Sequence, residues 1–307
     1  MFKKKERYLS TLPLQRSMKV IISIPAYNEE RHLGAVINEI NSVMSKTNYN
    51  YQILVLNDGS KDNTEKVAKA AGAIVFSNKR NLGLAQTFKN EMEQCKKIKA
   101  DIIVHTDADG QYPAKFIPQL IKKIEEGSDL VLGSRFGKGK YKGSLGKSLG
   151  NIAFAKVFSS MLKTKLTDTT TGFRAFTQEV ADLPLINTFT YTQEQLIRAG
   201  KANMKISEIP ITTKKTRKSR LFKNPLDYAI KAWINILRIY RDFEPLKFFG
   251  NLGLSLIGLG IIMGIWILWT LAQTGGVGGI PRVILSALFI MTGLQVILFG
   301  FLADMKK

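Results

Sequence analysis

The stretch Ile102-Ile103-Val104-His105-Thr106-Asp107-Ala108-Asp109-Gly110-Gln111 decides how the whole chain is read. An apolar run of strand length meets two carboxylates one residue apart, with a turn glycine and a glutamine behind them. Residues two apart on an extended strand share a face, and Gly110 lets the backbone bend. Asp107, Asp109 and Gln111 can therefore converge on one hard cation through oxygen donors. An isolated pattern of this kind more often marks a strand that ends in a solvated acidic turn, so the rest of the chain has to decide.

Upstream, Lys19 to Ile24 (KVIISI) reads as a buried strand stopped by Pro25, with Tyr27-Asn28-Glu29-Glu30 at a helix start. Leu33, Val36, Ile37, Ile40 and Val43-Met44 recur at helical spacing. Tyr51 to Leu56 (YQILVL) is the next strand and ends in Asn57-Asp58-Gly59-Ser60, before a helix from about Thr64. Ala73 to Phe76 is short and strand-like, and Asn81-Leu82-Gly83 precedes a helix containing Phe88 and Met92. Strands alternating with helices predict α/β layers on a mainly parallel sheet, whose ligands sit at the carboxyl ends of strands. Pro25 to Glu29, Asn57 to Ser60 and Asp107 to Gln111 all fall at such ends.

Downstream, a helix is expected from Pro113 to about Glu126, then a strand at Leu130 to Leu132 ending in Gly133-Ser134-Arg135. A Gly- and Lys-rich segment follows, Phe136 to Gly150, then a helix from about Asn151 to Leu162 and the stretch Asp168 to Phe176. Glu194 to Ala199 reads as helix, and Met204 to Pro210 (MKISEIP) as a strand with an acid inside it. A basic run, Lys214 to Lys223, closes this part.

The formal net charge of +21 over 307 residues bears on partners, not on fold. Phe248 to Ala272 and Val283 to Ala303 carry no charge, and each reaches the ~20 residues that cross a hydrocarbon core. Gln273 to Arg282 between them is nearly neutral while both flanks are basic. The positive-inside rule then puts the N-terminal part and the tail in the cytoplasm, with a two-span hairpin between. Residues 1–17 form a basic tail without the apolar core of a signal peptide, 18–224 the soluble domain, 225–247 an amphipathic interfacial helix, 248–303 the hairpin (spans 248–272 and 283–303) and 304–307 a cytoplasmic tail. Trp233 in the interfacial helix, and Trp266 and Trp269 in the first span, suit the headgroup region. Gly250, Gly253, Gly258, Gly260 and Gly264 permit close helix packing, within the hairpin or in a homo-oligomer built through it. The single cysteine, Cys95, excludes an intramolecular disulfide.

Two nucleotide-binding signatures are absent. The first strand-to-helix turn, Pro25 to Glu29, lacks the G-x-G-x-x-G of a dinucleotide fold, and Tyr141 stands where a P-loop ending at Gly146-Lys147-Ser148 needs its first glycine. His32 and His105 have no partners at zinc-ligand spacing, and His105 reads as a satisfied core histidine.

Together the motifs carry a resemblance. Pro25 to Glu30, Asn57 to Ser60, Asn81 to Gly83, Asp107 to Gln111, Gly133 to Phe136, Asp168 with Gly172-Phe173-Arg174, and Glu208-Ile209-Pro210 occur in the order and spacing of family 2 glycosyltransferases. The subgroup they resemble is the polyprenyl-phosphate sugar synthases, such as dolichyl-phosphate mannose synthase and the bacterial polyprenyl-phosphate glucosyltransferases. The resemblance spans about Lys19 to Arg220, and a C-terminal hairpin fits members of that group.

It implies a GT-A type, Rossmann-like sheet flanked by helices, a nucleotide-sugar donor, Mg2+ or Mn2+, and a polyprenyl- or dolichyl-phosphate acceptor; the basic charge, independently, suits a bilayer with anionic lipids. Nucleic acid is not an expected partner. By the same resemblance Pro25, Tyr27, Glu29, Leu56 and Asp58 hold the nucleoside, and Asp107, Ala108 and Asp109 frame the diphosphate. Asp109 and Gln111 bind the metal, with Asp107 in its inner or next shell. Arg135, Lys147, Asn151 and Arg217 meet the acceptor phosphate, although Lys147 and Asn151 stand where the family often has Arg and Ser, and the stretch at Arg217 lacks the family's glycine. The implied reaction is an inverting displacement with Asp107, Asp109 and Arg135 as the catalytic set. An acceptor phosphate is already anionic at neutral pH, so leaving-group stabilisation matters more than a general base. Transfer to another membrane lipid is the alternative within the class. Outside it stands a basic, membrane-tethered binding protein, against which the acidic strand ends weigh.

Overall fold

The computed structural model describes residues 18–136, 155–185, 191–214, 240–277 and 279–305, together with 234, 237 and 238. The chain divides into two compact units, Met1–Leu221 and Phe222–Lys307.

The first unit is built on one sheet in the order β3-β2-β1-β4-β6-β5-β7. Its strands are β1 (Lys19–Ala26), β2 (Asn50–Asn57), β3 (Ile74–Ser77), β4 (Ile102–His105), β5 (Leu130–Ser134), β6 (Arg174–Thr177) and β7 (Ile206–Pro210). All neighbours run parallel except β6, which is antiparallel to both β4 and β5. A parallel sheet covered on both faces calls for continuous apolar strands, and β1 is buried along its length after Lys19. The antiparallel β6 is absent from the sequence reading. Its four residues, Arg174-Ala175-Phe176-Thr177, open on a charge and lack the apolar run that marks the equally short β4.

Helices α1 (Leu33–Met44), α2 (Thr64–Ala70), α3 (Leu84–Lys97) and α4 (Ile117–Glu125) follow the first strands, with α5 (155–162), α6 (Gln178–Ala181) and α7 (Tyr191–Lys201) beyond them. α1 buries Leu33, Val36, Ile37, Ile40 and Met44 in one core with Val20, Ile22 and Ile24 of β1 and Leu120, Ile121 and Ile124 of α4. Truncating one of these, Ile37 for instance, removes roughly 2–5 kcal/mol. The helix expected from Pro113 begins as one 3-10 turn, Ala114–Phe116, and becomes α-helical only where Pro118, lacking an N–H, can sit in the first turn.

In the second unit, residues 240–243 are helical and the helix breaks at Glu244, ahead of Pro245. The rest of the expected interfacial helix lies outside the described residues, apart from 234, 237 and 238. Helices α8 (Pro245–Thr274) and α9 (Ile280–Asp304) each contain an 18-residue stretch of mean hydropathy 2.2 and 2.3, respectively, and have the length to cross a membrane. Small residues line their contact at heptad spacing. A Cβ on Gly253 would stand 2.5 Å from the Gly293 carbonyl, and Ser286 Oγ donates to the Gly260 carbonyl at 2.8 Å. Gly250 and Gly258 meet nothing. Of the five glycines noted in this span, then, Gly253, Gly260 and Gly264 face the partner helix of the hairpin. Gly275 ends α8 at φ 71°, where its N–H caps the Leu271 carbonyl at 2.8 Å.

Candidate active site

The site lies at the carboxyl ends of β1, β2 and β4. The β1–β2 ladder runs in register to Ala26 and Asn57, and Asp58 N then donates to the Ala26 carbonyl at 2.8 Å. The two loops that follow are laced together. Asn28, in the left-handed region at φ 53°, donates its N–H to Ser60 Oγ (3.0 Å) and accepts from Lys61 N (2.9 Å). Glu29 N donates to Thr64 Oγ1 at 2.8 Å, and Glu30 N to Asp62 Oδ2 at 3.2 Å. Pro25, Leu56 and Ala108 are buried while Tyr27 stands exposed. The expected nucleoside residues thus form one edge, with Tyr27 at its rim.

Asp58 has a task the sequence did not reveal. Its carboxylate accepts Asn78 Nδ2 (2.8 Å), Leu82 N (2.9 Å) and Gly83 N (3.0 Å), bracing the turn that leads into α3. Gly59 explains why that turn can come so close. At φ +68° it faces the Arg80–Asn81 backbone, which an added Cβ would approach to 2.5 Å.

At the end of β4, Gly110 adopts φ 72° and Asp109 Oδ1 accepts the Gln111 N–H at 3.0 Å. No donor among the described residues bonds the Asp107 carboxylate. Burial raises the Asp107 pKa above its ordinary value; His105 and Arg135 pull it back, while Asp109 and Glu91 push it further up. Asp107 and Asp109 lie close enough for their charges to interact, the Asp107 carboxylate has no donor, and Gln111 follows in the same turn; a divalent cation with a preference for oxygen would complete such a set. The residues therefore fit the metal that the motif implies.

Across the site, Arg135 leaves β5 and is held by Asp168, Nε to Oδ2 at 2.7 Å and Nη2 to Oδ1 at 3.0 Å, with Nη2 also on Thr170 Oγ1 at 2.8 Å. Glu208, the acid inside β7, accepts the N–H groups of Thr167 (2.9 Å) and Asp168 (3.0 Å) and fixes the loop that presents Asp168. Beyond β7, Lys214 donates its N–H to the Gln111 carbonyl (2.9 Å) and its ammonium to Glu39 (2.6 Å), so the start of the basic run is tied to the Asp107–Gln111 loop. Lys147, Asn151 and Arg217 lie outside the described residues.

Behind the strands, His105 is fully buried with Ser23 Oγ and Tyr191 OH each at 3.4 Å and Glu91 at 3.6 Å. Sequence reasoning missed Glu91. A carboxylate on an otherwise ordinary helix gives no local sign that it faces a buried imidazole.

The model of glycosyl transferase family 2 matches residues 21–183. This chain belongs to glycosyl transferase family 2. The transferase is 29% identical over 292 residues to the dolichol-phosphate mannosyltransferase of Pyrococcus furiosus, covering 88% of this chain and 78% of the relative. It is 31% identical over 189 residues to a dolichyl-phosphate hexose transferase of Haloferax volcanii, covering 60% and 78%. A prophage bactoprenol glucosyl transferase homolog of Escherichia coli is 26% identical over 295 residues, covering 94% and 93%. Among solved structures, the glucosyl-3-phosphoglycerate synthase of Mycobacterium tuberculosis, in complex with Mn2+, UDP and glucosyl-3-phosphoglycerate, superposes with a TM-score of 0.55 at 20% identity, over 71% of this chain and 80% of that one. The GT-A type α/β fold expected from the sequence is the one present, and family membership makes the chain a glycosyltransferase rather than a binding protein.

Proposed function

We propose that this transferase moves a hexose from a nucleotide sugar to the phosphate of a polyprenyl or dolichyl phosphate at the cytoplasmic membrane face. The observation that carries the acceptor assignment is the reach of the alignments. Relatives named for transfer to dolichol phosphate or bactoprenol match 88% and 94% of the chain, well beyond the residues 21–183 that the family model matches. A polyprenyl chain is confined to the bilayer, and two apolar helices beside a basic chain keep the enzyme where such a phosphate lies. The domain boundaries expected above belong to this proposal, as does the orientation with both termini in the cytoplasm.

Asp109 and Gln111 would hold Mg2+ or Mn2+, with Asp107 beside them. When bound, such a cation supplies Lewis-acid stabilisation for the departing diphosphate. The edge formed by Pro25, Tyr27, Glu29, Leu56 and Asp58 seats the nucleoside. Arg135, oriented by Asp168, sets its positive charge toward the acceptor phosphate and offsets repulsion between that phosphate and the donor. Lys147, Asn151 and Arg217 would complete that phosphate site. With the nucleophile already ionised, the residues have no proton to remove, and a single inverting displacement suffices.

The test is transfer itself. The purified full chain is incubated with polyprenyl phosphate, Mg2+ or Mn2+ and a panel of nucleotide sugars, and the lipid is analysed by mass. A polyprenyl-phosphate hexose or N-acetylhexosamine supports the proposal. Glycosylation of a diacylglycerol instead, or no lipid product with any donor, overturns it.

A further inference from the structure

Below the Asp107 to Gln111 loop sits a guanidinium to which the motif reading gave no task. Arg174 opens β6 directly opposite His105 of β4 and is wholly buried, at 0% exposure. Among the described residues no carboxylate forms an ion pair with it. Its Nη1 donates to the Thr192 carbonyl (2.9 Å) and to Gln195 Oε1 (3.1 Å), and its Nη2 to the Thr171 carbonyl. Burial draws its pKa down to about 10, which still leaves it charged at neutral pH. Holding a buried charge on neutral hydrogen-bond acceptors, with Asp168 and Asp107 acting only through space, is unfavourable compared with an apolar side chain of the same size. The residue is best explained by what it holds in place.

What it holds is the turn Thr171–Gly172. Thr171 Oγ1 accepts the Phe173 N–H at 3.2 Å, and Gly133 N donates to the Phe173 carbonyl at 2.9 Å, so the turn is fixed from the β5 side as well. Gly172 then lies against Asp107. A Cβ built on it would stand 3.1 Å from Asp107 Oδ1 and 3.5 Å from Oδ2. The Asp107 carboxylate has no hydrogen-bond donor of its own among the described residues, and the Gly172 backbone is so near it that a side chain there would press on it.

We propose that Arg174 is a positioning residue for Asp107, acting through the Thr171–Gly172 backbone to keep the carboxylate in the orientation that receives a divalent cation. The inference rests on the cation reading of the Asp107 to Gln111 loop. Groups that orient a metal's ligands typically change metal affinity 10–100-fold, about as much as is expected here.

Two variants probe the chain of contacts from opposite ends. Arg174→Lys keeps the charge, but one ammonium lacks the planar fork that reaches Thr171, Thr192 and Gln195 together. Gly172→Ala removes no hydrogen bond, and its backbone lies outside the left-handed region, so it only sets a methyl against the carboxylate. Mn2+ binding to the full chain in detergent is read from the loss of the free-ion electron paramagnetic resonance signal, with thermal unfolding in parallel. Each variant is expected to raise the Mn2+ dissociation constant about tenfold. The double variant should be no weaker than the weaker single one, because both act on the same carboxylate. Unchanged Mn2+ affinity in folded Gly172→Ala overturns the inference, whether or not Arg174→Lys folds. If the wild type binds Mn2+ and the variants match it, only the positioning role falls. A wild type that binds no Mn2+ removes the cation reading and this inference together.

Discussion

The guanidinium of Arg135 closes a two-point fork on the carboxylate of Asp168, which is fully buried while the arginine keeps 17% of its side chain exposed. The fork, with Thr170 Oγ1 on the same Nη2, fixes the orientation of the guanidinium. Glu208 fixes the fork in turn, through the N–H groups of Thr167 and Asp168.

Asp168→Asn turns an acceptor oxygen into a donor facing another donor. Stability should fall by about 2 kcal/mol, below the full cost of breaking a buried pair because Arg135 is partly solvated. Steady-state kinetics should show a higher KM for the lipid phosphate and a nearly unchanged KM for the nucleotide sugar. The opposite pattern would move Arg135 to the donor side of the site.

Asp58→Ala leaves the N–H groups of Leu82 and Gly83 without their acceptor and loosens the turn before α3. Nucleotide-sugar affinity, measured by calorimetry, should drop several-fold while the chain stays folded. Gly59→Ala should do worse, lowering the unfolding temperature, since its φ of +68° and the Arg80 backbone 2.5 Å from an added Cβ both oppose a side chain.

For Asp107 the sign of the effect is unusual. A carboxyl whose pKa is raised by folding binds its proton more tightly in the native state, so stability is lost as pH climbs from the ordinary value of 3.8 through the raised one. Asp107→Asn should therefore raise the unfolding temperature of the metal-free protein at pH 7 and flatten this decline, while lowering activity severely. A metal-free variant less stable than the wild type at pH 7 would contradict that account.

In the hairpin, Gly253→Val should separate α8 from α9, because the added atoms meet the Gly293 carbonyl and Ile297. Gly258→Val, which meets nothing, serves as its control. Unfolding temperature in detergent should fall for the first and hold for the second.

The sequence carried what depends on local pattern. The apolar strands β1, β2 and β4 showed through their composition, and the polar clusters at their ends through position. The two uncharged helices showed through length. What it hid depends on contacts between distant segments. Asp58 reads as part of a turn motif, yet its carboxylate works on residues 82 and 83 across an intervening helix. Glu208 looked anomalous inside β7 until the loop at Thr167 and Asp168 came to lie over it. β6, opening on Arg174, lacks the apolar run that would betray it, and Glu91 gives no sign of the histidine it faces. Each of these became visible only when the sheet order placed its partner.

The most direct measurement is sugar transfer to polyprenyl phosphate by Asp109→Ala in membranes, beside the wild type with and without a chelator. The expected result is a sugar-linked lipid from the wild type, lost on chelation, and none from the variant although it is folded and membrane-inserted. Near-normal transfer by Asp109→Ala, or by the wild type after chelation, would contradict the assignment of Asp109 to a cation that carries the departing diphosphate.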